Sequence, residues 1–127
     1  MSKISYSAVV LNDESRKKLI GAFKDIIPND FEIIAHHMTI NMGDLDKSFK
    51  DDIGKNVKLV VHSFAEDDKV MAVGVYGYPS KNKQPHITLA VNRSKGGKPF
   101  MSNKLKKWKE LKNKMILQGT VQEVPYK

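Results

Sequence analysis

Two stretches of this chain, His37-Met38-Thr39-Ile40 and His86-Ile87-Thr88-Leu89, repeat one alternation of polar and apolar residue types. In an extended strand, alternate side chains share a face. His37 and Thr39 therefore point one way, with Met38 and Ile40 opposite, and His86 and Thr88 point one way, with Ile87 and Leu89 opposite. Each strand has one face fit for a core and leaves a histidine and a threonine to a cleft or to solvent. If the two strands lie side by side, two imidazoles and two hydroxyls converge on one small volume.

The rest of the chain reads as β-α-β, a hairpin, then β-α-β. Residues 4–10 form an opening strand with Tyr6, Ala8 and Val10 on one face. Asn12 or Asp13 caps a helix whose stripe is Leu19, Ile20, Phe23, Ile26 and Ile27, and Pro28 stops it. Residues 31–42 carry the first motif, ended by Gly43, and residues 45–53 suggest a helix of two turns. Residues 57–64 and 70–76 pair as a hairpin about Asp67-Asp68. A polar loop over 79–84 leads into the second motif strand, 86–91. Residues 102–114 predict a second helix with Leu105, Trp108, Leu111 and Met115 as its stripe and lysines over much of the rest; residues 116–124 close as a strand. No linker or tandem repeat divides the chain, so a single domain over 1–127 is expected.

Composition narrows the chemistry. The chain has no cysteine, which excludes disulfides, thiolate metal sites and cysteine nucleophiles. This fits a reducing cytoplasm, and a cytoplasmic monomer is the expectation. No signal-peptide pattern follows Met1, and no apolar run has transmembrane length, so no membrane partner is expected. Lys and Arg number 22 against 14 Asp and Glu, a net charge of +8. Such a surface attracts polyanions without reading their sequence, though the same charge also serves solubility alone.

A paired set of two histidines and two threonines suits a phosphodiester. A neutral imidazole takes a proton from water, and a protonated one donates to the leaving oxygen. Threonine hydroxyls donate to the non-bridging oxygens where charge builds up. The scheme needs no metal and no cofactor. The residues by themselves do not say which histidine is base and which is acid.

The strings His37-Met38-Thr39-Ile40 and Pro85-His86-Ile87-Thr88-Leu89 resemble the twin motifs of the 2H phosphoesterase superfamily, and the chain is similar to the small RNA-repair and tRNA-ligase-like cyclic phosphodiesterase domains within it. The resemblance covers most of the chain. It implies an α+β, bilobal fold, with antiparallel-rich sheets forming a central cleft and two main helices outside. It implies a metal-independent phosphodiesterase acting on 2′,3′-cyclic phosphate RNA ends or related cyclic or 2′-5′ nucleotides. His37 and His86 would be catalytic, and Thr39 and Thr88 phosphate-binding. It also implies that the first histidine protonates the 3′ leaving oxygen while the second activates water, leaving a 2′-phosphate. The chain is shorter than typical members, so its lobes are expected to be trimmed.

Further substrate contacts are expected from Lys81 and Lys83 in the loop before the second motif and from Tyr76 and Tyr78, which can stack on a base. Arg93 beside Gly96-Gly97 is another, set against a plain flexible turn. His36 should face away from His37 unless a bulge exchanges them, and His62 reads as a packed or surface strand residue. Two other readings stand beside the enzyme. One is a non-catalytic RNA-binding module recognising phosphate ends; the other is an adaptor domain in which the paired motifs are coincidental.

Overall fold

The computed structural model describes residues 3–126. Seven strands and one helix make up its regular structure: β1 (Ile4–Leu11), α1 (Asp13–Phe23), β2 (Glu32–Ile33), β3 (His37–Met42), β4 (Asn56–Glu66), β5 (Val70–Tyr76), β6 (His86–Val91) and β7 (Lys109–Pro125). All pairings are antiparallel. They run β6-β3-β1-β7-β4-β5, and β5 pairs back onto β6, so six strands close into a barrel. Closure removes the free edges that an open sheet would have to protect.

The barrel interior is filled by the apolar alternates of its strands. Val9, Leu11, Met38, Ile40, Leu59, Val61, Val73, Ile87, Leu89, Leu117 and Val121 are all buried in one cluster, with Leu19 and Phe23 of α1 packed onto it. On β1 the inward residues are thus Val9 and Leu11; the set Tyr6, Ala8 and Val10 takes the other face. The helix is built as its sequence directs. The Asn12 side chain accepts from the Ser15 amide at 2.8 Å, and Asp13 and Glu14 sit at the positive end of the helix dipole. Regular helix ends at Phe23 rather than at Pro28, and the segment between is a turn in which the Ile26 and Ile27 amides both donate to the Phe23 carbonyl. The two-turn helix expected over 45–53 is a 3-10 helix, Lys47–Asp52.

The expected second helix over 102–114 is absent. A 3-10 turn, Pro99–Lys104, leads into an irregular strap, and β7 begins at Lys109. Leu105, Trp108, Leu111 and Met115 have helical spacing, but Leu111, Met115, Leu117, Gly119 and Val121 also fall on alternate positions. Their inward burial alternates with exposed Lys112, Lys114 and Gln118. Pairing with both β1 and β4 supplies the hydrogen bonds that decide for a strand. The chain therefore has one main helix among the described residues, not two, and its antiparallel strands form one closed barrel rather than the expected sheets about a central cleft.

The stretch expected as one strand over 31–42 is interrupted. Ile33 pairs with Ala90 and Met38 with Ile87, a register slip of two residues on β6. Since β5 holds the other edge of β6, β2 and β3 lie end to end along the remaining one. The slip is taken up at Ala35, buried and with φ of 42°, a left-handed backbone that a non-glycine residue rarely adopts.

Candidate active site

With Met38 and Ile87 paired and both in the barrel core, their neighbours must face outward. Antiparallel register then sets His37 across from Thr88 and Thr39 across from His86. The two histidines occupy one diagonal of this square and the threonines the other. Diagonal neighbours across a strand pair lie about 7–8 Å apart at the backbone, room for a tetrahedral anion between the rings.

The four side chains line one cavity of about 410 Å³ on the outer face of the barrel. Tyr6 closes one side, its ring stacked on His37 at 4.7 Å. Lys81 and Asn82 come from the loop before β6, and Pro99, Phe100 and Asn103 from the 3-10 turn that covers β6. Among the described residues, no carboxylate lines the cavity. Lys81 reaches Asp46 at 3.6 Å behind it, and its backbone amide donates to the Ile40 carbonyl.

The two imidazoles are held differently. His86 is buried, and its Nδ1 lies 2.7 Å from the Gln84 carbonyl oxygen. A carbonyl only accepts, so Nδ1 carries the proton and Nε2 keeps its lone pair. Burial pushes the His86 pKa down, against a smaller upward pull from Gln84. His37 is lowered further, to about 4, by burial first and then by the neighbouring His36 and His86. Its Nδ1 sits 2.9 Å from Nδ1 of His36, so one ring donates and the other accepts. His36 thus touches the site through His37, a contact the strand pattern argued against; the left-handed Ala35 just before it breaks that pattern.

Thr88 Oγ1 lies 3.1 Å from the Pro99 carbonyl and 2.8 Å from Ser102 Oγ. The threonine donates to the carbonyl and accepts from the serine; to meet a phosphate its hydrogen must turn from Pro99 to the ligand. Sequence reasoning missed Ser102, Tyr6, Phe100 and Asn103. Tyr6 was legible as a strand residue, but no local signal tells which strand β1 joins.

Of the other expected contacts, Lys83 lines an adjoining cavity. Tyr76, Tyr78 and Arg93 line neither of the two. Tyr78 donates to Asp52 at 2.7 Å and packs on Phe49; Tyr76 lies beside His62; Arg93 pairs with Glu32 at 3.0 Å. Among the described residues, no group of three or more His, Asp or Glu is gathered as a metal site, and no helix is long and apolar enough to cross a membrane.

A family model described as the fungal tRNA ligase phosphodiesterase domain matches residues 31–127, a span that contains both motifs. The chain belongs to this family. A fungal tRNA ligase phosphodiesterase domain is a 2H phosphoesterase, and membership implies cyclic phosphodiesterase activity on RNA ends. No curated protein matches the chain. The matched span begins at Phe31, so Tyr6, which stacks on His37, lies outside it.

Proposed function

We propose that the protein hydrolyses the 2′,3′-cyclic phosphate at an RNA end, with His86 as general base and His37 as general acid. The observation that carries this reading is the carboxylate-free cavity shared by both imidazoles and both threonine hydroxyls. His86, with Nδ1–H tied to Gln84, offers the Nε2 lone pair to a water. As the water oxygen bonds to phosphorus, its proton passes to Nε2. The bond from phosphorus to the 3′ oxygen breaks, and His37 delivers a proton to that oxygen, leaving a 2′-phosphate. Once protonated, His37 donates from Nδ1 to His36 and keeps its Nε2 proton for the leaving group. Thr39 and Thr88 hold the non-bridging oxygens, where charge accumulates.

The test is hydrolysis of an RNA oligomer ending in a 2′,3′-cyclic phosphate by protein treated with EDTA, with product analysis. The expected product carries a 2′-phosphate. A 3′-phosphate would reverse the assignment of leaving oxygen, and tight binding without turnover would make the cavity a recognition site for phosphate ends.

A further inference from the structure

Beside the catalytic cavity opens a second one of about 830 Å³. Asn82 and Asn103 line both, so the two meet at these asparagines. Lys83 enters the second cavity from the loop before β6, Lys104 from the end of the 3-10 turn and Lys106 from the strap after it. Among the described residues, no carboxylate lines it and none forms an ion pair with these three lysines, unlike Asp46 with Lys81. Their charge is left for a ligand.

Trp108 forms one wall. Its ring centre lies 6.2 Å from that of His86, so a group against it is within one nucleotide of the reacting phosphorus. Its position is fixed from behind. The indole N–H donates to the Leu105 carbonyl at 3.2 Å, and the ring packs on the buried cluster of Ala72, Val91 and Leu105. A held aromatic face next to a row of cations is the combination that binds single-stranded nucleic acid. The catalytic cavity, at about 410 Å³, is near the small end for ligand pockets and suits the terminal nucleotide alone. A mononucleotide would leave the larger cavity empty.

We infer that the second cavity is a strand subsite. It takes the nucleotides on the 5′ side of the reacting RNA end, one base stacked on Trp108 and the backbone phosphates against Lys83, Lys104 and Lys106. The protein then acts on polynucleotide ends in preference to small cyclic nucleotides. This inference rests on reading the adjoining cavity as the cyclic-phosphate site.

Trp108 is the single tryptophan of the chain, so all tryptophan emission comes from this wall. Titration of the full-length wild-type protein with a 3′-phosphate-ended RNA hexamer should quench it, at a Kd at least ~5-fold below that of a 2′,3′-cyclic mononucleotide, the low end of one base stack. In K104A/K106A the slope of log affinity against log salt should fall by about 1.4, roughly 0.7 for each lost phosphate contact. The ratio of kcat/KM for cyclic-ended hexamer over cyclic mononucleotide should drop toward one in the same variant. Equal affinity for the two ligands, or hexamer binding that leaves Trp108 emission and the salt slope unchanged, overturns the subsite. Hydrolysis of both substrates without preference leaves the catalytic reading intact and removes this one. Quenching by the hexamer with no hydrolysis of either substrate does the reverse.

Discussion

Met38 of β3 is paired with Ile87 of β6 at the one registered position between these strands. Both side chains are buried in the barrel core. From that pairing the arrangement of the site follows: the residues on either side of Met38 and of Ile87 are driven to the opposite face, where His37, Thr39, His86 and Thr88 share a cavity. A slip of β3 by one residue would turn His37 and Thr39 into hydrocarbon and leave His86 without its partners.

The two rings should act as a unit. H37A and H86A are each expected to lower kcat on a cyclic-ended RNA by about 10²–10⁴-fold, the range for a lost general acid or base. The double variant should be little worse than the poorer single one, as for groups sharing one step. Single-turnover rates measure this; additive losses would separate the two roles into independent steps.

The pH profile should differ between free and bound protein. Burial, His36 and His86 hold the free His37 at about 4, and burial holds His86 below its ordinary value. The alkaline limb of kcat/KM, which reports the higher of the two pKa values in the free protein, should therefore lie below pH 6.5. A bound phosphate anion favours the imidazolium, so the alkaline limb of kcat should lie higher. Coincident limbs would speak against His37 as the acid.

His37 also links stability to acid. Folded, it protonates at about 4; unfolded, at 6.5. Between those values the unfolded chain holds a proton that the fold refuses, so stability falls as pH drops from 6.5 to about 4 and is unaffected by this group above 6.5. The full loss is on the order of 3 kcal/mol. Denaturant midpoints for H37Q should fall less over this window than those of the wild type. Parallel curves would mean that the ring titrates normally.

Gly74 of β5 lies opposite His86. A Cβ there would meet Ser63 Oγ and come within 3.1 Å of Gln84 Nε2. G74A should destabilise the fold by about 1–3 kcal/mol and, by displacing Gln84, loosen the carbonyl that fixes the His86 tautomer. Urea midpoints and kcat test both effects. Wild-type stability would show that the Ser63 and Gln84 side chains yield freely.

Local sequence determined the polar and apolar faces of β3 and β6, the hairpin of β4 and β5, and the cap of α1, because each is set by contacts a few residues apart. Alternation could not say that β3 and β6 are neighbours; that needed closure of the barrel, in which β6 pairs with both β3 and β5. It also could not choose between helix and strand for residues 109–115, where Leu111 and Met115 fit both periods and only pairing with β4 decides. The burial of His86 and half-burial of His37, the Nδ1 contact from His36 and the turn carrying Ser102 across Thr88 come from chain segments far apart in sequence or from a local kink at Ala35. Side-chain spacing fixes which face a residue takes, but its electrostatic surroundings depend on what the fold packs against that face.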